Sequence, residues 1–383
     1  MSRTITIDRF LTKSEDWVPV KPDENYKQIT ARLWGKGLTL RGEVPGSAIA
    51  AARQYCAKAG QFLISRIDAR HGAFGIVPEE LDGSLVSNDF PCFNIDASTV
   101  LPHFFEWYSR TPGFIDLCRR ASEGSTNRVR MKEAKFLKMT VPLPSLDEQR
   151  RIVEKLDRVA ALVDERCSAI EAAERETQAL LRKAFQRAAD GTQMRPMSEV
   201  APLVRRTVEI DPTAAYPELG VRSFGRGTFH KPDLPGVDVG SKKLFRICAG
   251  DLLFNIVFAW EGAVAVAQPE DEGRFGSHRF LTCVPVPDIA SVEFLRFYFS
   301  TPEGLQKLGE ASPGGAGRNR TLGLKKLESL QVPVPTIGRQ HWFDCLQAKA
   351  QEARTIRANT ARDVEALIPA MLHEIFGRQE QAA

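Results

Sequence analysis

The sequence predicts an α+β chain in which two repeated mixed α/β domains are separated by two long helices that form an antiparallel coiled coil. Three observations predict it. The chain of 383 residues matches itself when slid by 190 positions. Each copy ends in a long stretch rich in strong helix formers, opened by a Pro-x-Pro stop (Pro142 and Pro144; Pro333 and Pro335). The first stretch carries an apolar stripe at alternating steps of four and three and the second keeps a similar stripe, seams that need a partner helix.

The register of the repeat is visible in short matches. Val18–Tyr26 lies over Val208–Tyr216, and Tyr26–Gly37 over Tyr216–Gly227. Ala59–Val77 lies over Ala249–Ala267, Ser87–Phe90 over Ser277–Phe280, and Tyr108–Pro112 over Tyr298–Pro302. The loop Ser122–Arg130 lies over Ser312–Arg320, and after one inserted residue the offset becomes 191, so that Gln149 falls on Gln340. Chance does not hold one register over such a length, and the chain reads as a tandem duplication.

Taken in order, residues 1–141 form the first domain. Short apolar runs such as Phe62–Ile67, bounded by Gly and polar turns, read as strands, and Leu101–Cys118 has helical spacing. Residues 142–190 form the first long helix. Its seam is Ile152, Leu156, Val159, Val163, Ile170, Ala173, Thr177, Leu180 and Ala184, interrupted by Arg166 and Thr177. Residues 191–332 repeat the first domain, with Leu252–Phe258 as a strand and Val292–Leu308 as the helical part. Residues 333–383 hold the second helix and a tail. The seam there is Phe343, Leu346, Ala350, Ala353, Arg357, Ala361, Val364, Ile368, Met371 and Ile375, with a kink or break expected near Ile368 because Pro369 follows. Leu162, Leu181, Phe185, Leu372 and Phe376 lie off these seams and are expected to be exposed for a partner.

Composition narrows the class. The net charge of +4 is mildly basic, and the first helix, counted from Asp147 to Arg187, carries equal numbers of acids and bases, so the basic excess lies outside it. The 7 cysteines are scattered with no C-x-x-C and no zinc spacing, which suits thiols in a reducing cytoplasm. Residues 1–25 lack an apolar signal segment, and the most apolar window, Leu252–Trp260, is far shorter than the roughly 20 residues of a membrane helix. A cytoplasmic protein without membrane contact is expected.

Two similar but non-identical heads on paired helices suit a target with two parts at fixed spacing. A helix of about 40 residues is roughly 60 Å long, enough to hold two half-sites of double-stranded DNA with centres at most about 18 base pairs apart. Two-fold symmetry in a protein mirrors inverted half-sites, and heads that differ imply half-sites that differ. The candidate DNA-binding residues fall in three strips. The first is the Gly-rich loop, with Ser125, Thr126, Asn127, Arg128 and Arg130 in one copy and Arg318, Asn319 and Arg320 in the other. Arg can bridge guanine and Asn adenine in the major groove. The second is Arg66, Arg70 and His71, over Trp260 and Glu261. The third is Ser87 and Asn88, over Ser277, His278 and Arg279. The repeated Gly-x-Gly (Gly35/Gly37 and Gly225/Gly227) reads as a turn, since it lacks the third glycine of a dinucleotide fingerprint.

These features together resemble the specificity (S) subunit of type I restriction-modification systems. The resemblance rests on Pro142, Pro144, Glu148 and Gln149 at the start of the helix, Ala184-Phe185 at its exit, the run Arg222–Gly227, the Gly-rich loop and the duplication, and it covers nearly the whole chain. It implies two target-recognition domains that each read one half of a split, asymmetric DNA site. It also implies that the paired helices act as spacer ruler and dock two methyltransferase (M) subunits, which restriction/translocase (R) subunits join. The second helix departs from the pattern, beginning Gly338-Arg339-Gln340 without the acidic residue that favours a helix N-terminus.

No catalytic role and no cofactor are expected of the chain itself. It has no Asn-Pro-Pro-aromatic motif and no Gly-rich cofactor loop. The one tempting nuclease-like set, Asp116 with Glu133 and Lys135, becomes Gln306 with Gly323/Lys325 or Leu324/Lys326 in the second copy. The alternative is a coiled-coil scaffold without sequence-specific DNA binding. The Arg- and Asn-bearing loops of both heads argue against it, and DNA binding that falls steeply with salt would exclude it.

Overall fold

A computed structural model describes residues 3–124, 129–315 and 320–381 of the chain. These form two compact units, residues 1–170 with 358–383 and residues 171–357. The long helices run over Leu146–Ala189 and Ile337–Gln381. Each unit therefore owns one half of each helix.

In the first unit, a four-stranded antiparallel sheet has the order Leu11–Lys13, Cys92–Ile95, Phe62–Ile64, Phe74–Ile76. A second sheet of five strands has the order Trp17–Pro19, Arg53–Ala57, Ser84–Val86, Asn25–Ala31, Leu38–Pro45. The strand Arg3–Thr6 pairs with Thr140–Leu143, which leads into the first helix. The second unit repeats this plan: Leu203–Val204, Phe280–Cys283, Leu252–Asn255, Val264–Val266 in one sheet, and Thr228–Pro235, Ala215–Val221, Phe275–Ser277, Leu244–Arg246 in the other. The edge strand Trp17–Pro19 has no counterpart strand there, only the isolated bridge Thr207–Phe245.

The core of the first unit is aromatic. Phe62, Phe74, Phe105 and Phe114 meet mostly edge to face, at centroid distances from 4.8 Å to 6.1 Å, the geometry that ring quadrupoles favour. The helices Pro102–Ser109 and Pro112–Arg120 cover it, the second capped by Thr111, whose side chain accepts from Phe114 N. Burial also settles three thiols: it pushes Cys92 and Cys283 up to about 12 and raises Cys118 as well.

The exits of the long helices are swapped between the copies. Phe185 ends the first copy but packs in the second unit, 4.8 Å from Phe294 and 5.5 Å from Phe343. Phe376 ends the second copy but packs in the first unit, 5.6 Å from Phe104 and 5.5 Å from Tyr108. Leu181 and Leu372 are buried beside them. The expectation that Leu181, Phe185, Leu372 and Phe376 wait for a partner is therefore corrected. The helix pair of each head covers them, and only Leu162, 54% exposed, behaves as expected.

The helices pair antiparallel. In the second unit Phe185 meets Phe343 while Glu174, eleven residues earlier, pairs with Arg354 and Arg357. All ten seam residues of the second helix are buried or half-buried. The first seam holds to Thr177 and then shifts: Leu180 is 65% exposed and Leu181 is 5% exposed. A straight α-helix drifts by about 20° per heptad from a strict 3.5 repeat, which turns the stripe onto the next residue. The polar interruptions are useful ones. Arg357 Nη2 donates to Thr177 Oγ1 at 3.2 Å and to Glu174 at 3.1 Å, so the two seams meet at a polar contact that fixes their register. Burial alone would raise the Glu174 carboxyl, but a hydrogen bond from Gln178 and the guanidinium groups of Arg354 and Arg357 bring it below its ordinary value.

The second helix is continuous through Pro369, so no break occurs there. The lost bond is that of Glu365 C=O, and Pro369 and Glu365 are both exposed, on a helix side where water can reach a freed carbonyl. The altered start also has a compensation. Arg339 Nη1 donates to Asp190 O, just past the end of the first helix, where a cation is favoured.

Candidate nucleic-acid interface

Each head is clamped to its helix by one buried glutamine. Gln149 Nε2 donates to Pro144 O at 3.0 Å and Thr99 O at 3.3 Å, while its Oε1 accepts from Leu101 N at 2.8 Å. Gln340 repeats all three contacts, with Pro335 O at 2.8 Å, Ile289 O at 2.9 Å and Ser291 N at 2.9 Å. Both glutamines are fully buried. The head surface is thus held rigidly on the helix that enters from it.

On that frame, backbone hydrogen bonds bring parts of the three predicted strips to one edge. In the first unit Arg66 N donates to Asp89 O at 2.7 Å, and Met131 N to Arg66 O at 2.8 Å. In the second unit Ile256 N donates to Arg279 O at 2.8 Å, and Leu322 N to Ile256 O at 2.9 Å. The pairing shows that the inserted residue lies before Thr321, so Arg130 corresponds to Thr321 and not to Arg320. It also settles that Leu324 and Lys326 replace Glu133 and Lys135.

The side chains on this edge differ between units. Arg66 reaches Asn88 O at 3.4 Å and Glu133 at 3.7 Å, and Arg130 pairs with Asp89 at 3.1 Å. Arg70 Nε lies 3.0 Å from His71 Nε2. In the second unit Arg320 stacks over Trp260 at 4.7 Å and donates to Gly309 O at 3.0 Å, while Trp260 Nε1 donates to Val257 O. His278 and Arg279 are exposed. Ser125, Thr126, Asn127, Arg128, Arg318 and Asn319 lie outside the described residues.

Sequence reasoning read the Gly-x-Gly repeat as a bare turn. It is the tip of the hairpin between the strands Asn25–Ala31 and Leu38–Pro45, and of its copy between Ala215–Val221 and Thr228–Pro235. Trp34 N donates to His71 O at 2.7 Å and Gly35 N to Gly72 O at 2.9 Å; Phe224 N donates to Glu261 O at 2.8 Å and Gly225 N to Gly262 O at 2.9 Å. The tip is thereby tied to the strip of Arg70 and His71 in one unit and of Trp260 and Glu261 in the other. Gly72 is required: a Cβ there would sit 2.7 Å from Gly35 N. Under the second tip lies a cavity of about 250 Å³ lined by Phe224, Glu261, Arg296, Phe299 and Leu305. In the first unit Arg110 stacks on Trp107 at 4.4 Å and crowds Gly35 instead.

The acid and lysine set does not converge. Asp116 pairs with Arg119 and Arg120, Glu133 with Lys13 and Arg66, and Lys135 with Glu123. Among the described residues, no helix is long and apolar enough to cross a membrane.

No protein-family model and no curated protein sequence matches the chain significantly. Solved structures do. One is a chain from a type I R-M system structure described for its complex assembly and conformational transition, with TM-score 0.70 and 18% identity, covering 98% of this chain and 97% of that one. Another is the HsdS subunit from Thermoanaerobacter tengcongensis, with TM-score 0.56 and 18% identity, covering 98% and 96%. The chain has the fold of these proteins over nearly its whole length.

Proposed function

We propose that the chain is the DNA sequence-recognition subunit of a type I restriction-modification complex. It reads a bipartite asymmetric site, one unit per half-site, and has no catalytic group of its own. The observation that carries this reading is the duplicated edge: one backbone frame in both units, set on the same glutamine clamp, with different polar side chains on it. A repeated frame with changed side chains is what reading two different half-sites requires. The fold likeness to type I R-M structures supports it.

The paired helices, 44 and 45 residues long, would set the spacing of the half-sites. Two methyltransferase subunits would dock on their exposed apolar positions: Leu162, which the sequence already named, with Leu180, Trp342, Ile356 and Leu367 in place of the four that are buried. Restriction/translocase subunits would join that core in the cytoplasm.

Mapping DNA methylation in cells that carry this chain with its partners tests the reading. The expected result is one motif with two unlike halves and a fixed gap, and a helix lengthened between Glu171 and Ala184 should change the gap alone. A single contiguous motif, or none dependent on this chain, overturns it.

A further inference from the structure

We infer that Trp34 and Phe224, the aromatic tips of the two matched hairpins, are themselves DNA-contacting residues, each packing its ring against a base or sugar of its own half-site. The inference rests on the recognition reading above and names a contact within it. Among the described residues, Trp34 (φ 65°) and Phe224 (φ 61°) are the non-glycine residues with positive φ. A bulky side chain in this left-handed conformation is strained, and such strain persists only where surrounding structure enforces it. Here four backbone hydrogen bonds to the neighbouring turns enforce it.

The fold gains little from the strain. Trp34 is 68% exposed and Phe224 69% exposed, the highest values among the large aromatic side chains. Glycine or asparagine would take the same conformation at less cost. Two strained, solvent-facing aromatics at equivalent places in two otherwise divergent surfaces point to a ligand that covers them.

The surroundings name the ligand's chemistry. The tips read Arg32-Leu33-Trp34-Gly35-Lys36-Gly37 and Arg222-Ser223-Phe224-Gly225-Arg226-Gly227, a cation two residues before and two residues after each ring. All four cations are exposed, and Arg226 lies 5.7 Å from the Phe224 ring. An aromatic face between two cations matches nucleic acid, whose bases and sugars offer surface to the ring and whose phosphates pair with the cations. Each tip is hydrogen-bonded to a turn that carries predicted DNA-binding residues, so one duplex segment can reach both.

Trp34→Asn and Phe224→Asn test this, since asparagine tolerates the left-handed conformation and keeps the turn. The full chain is assembled with its methyltransferase subunits, and binding is measured on duplexes carrying the mapped site, with either half scrambled, across a salt series. Trp34→Asn should weaken binding to the intact site by 10-fold or more with an unchanged salt slope. Once one particular half is scrambled it should cause no further loss; Phe224→Asn should behave likewise for the other half. Lys36→Ala and Arg226→Ala should each lower the slope of log affinity against log salt by about 0.9. If the wild-type complex binds its site and both asparagine variants bind within 2-fold of it, the tips are not contacts and this inference fails alone. If the wild-type complex shows no site preference, the recognition reading fails and the inference with it.

Discussion

The two units are most alike where they meet their helices and least alike at the edge that gathers the polar strips. Gln149 and Gln340 make the same three hydrogen bonds, and Phe376 and Phe185 fill the same slot beneath equivalent aromatics. At the edge, Arg66, Asp89, Arg130 and Glu133 of the first unit form ion pairs, where the second has Ile256, Arg279, Thr321 and Leu324. In the second unit Arg206 pairs with Asp251, and His230 Nε2 lies in hydrogen-bond contact with Asp271 at 2.9 Å. The difference shows that the frame does not depend on the surface it presents. The contacts the two units share lie at the helix attachment, and the edge changes without altering the frame.

Removing the shared slot should have the largest effect. Phe376→Ala should destabilise the first unit by about 3–5 kcal/mol, and Phe185→Ala the second by a similar amount. Hydrogen exchange should show the loss in residues 1–170 for one variant and 171–357 for the other. Loss spread evenly over both units would mean that they do not unfold separately. Next, Gln149→Ala and Gln340→Ala each strand a buried backbone N–H and carbonyls, at about 2–3 kcal/mol. Equal costs in urea denaturation would confirm that the clamp is the same device twice.

The seam contact sharpens the contrast. Arg357 meets Thr177 and Glu174, whereas Arg166, its equivalent at offset 191, is exposed. Glu174 has a lowered pKa in the folded state, so its contribution is present above the ordinary carboxylate value of about 4.3 and is lost as pH falls through the folded value. Glu174→Gln should cost the second unit about 1 kcal/mol or less at neutral pH. It should also flatten the acid limb of that unit's stability while the first unit is unchanged. Last, Leu162→Ser and Leu180→Ser should alter stability by no more than about 0.5 kcal/mol. Both should nonetheless weaken co-purification with methyltransferase subunits; unchanged co-purification would remove these residues from the docking face.

Much of this was legible in the sequence, and the misses have physical causes. The second seam keeps its stripe throughout, with two successive steps of four at Arg357 that offset the helical drift, and each of its residues is buried or half-buried. The first seam slips at Leu180 because helical drift and the second head's surface together turn Leu181 inward. The location of the inserted residue was hidden because Arg130 and Arg320 are the same residue type one step out of register, and only the backbone pairing separates them. The aromatic tips are not legible because a tryptophan or phenylalanine before a Gly-x-Gly turn gives no sign that it adopts a glycine's conformation. The recurrence of an aromatic just before both glycines was the available signal.

The exchange of helix exits also has a consequence for synthesis. The first head is made first, yet the residues that close it, Leu372 and Phe376, are translated more than 200 residues after Leu156. At about 5–20 residues per second, Phe104, Tyr108, Ile152 and Leu156 wait roughly 10–55 s for their cover. During that interval the only matching ridge already made is Leu181–Phe185 of the same helix, or that of another nascent chain. Newly made chains on one message are thus open to pairing with each other before they pair with themselves, and the rate of elongation through the second repeat sets how long that window lasts.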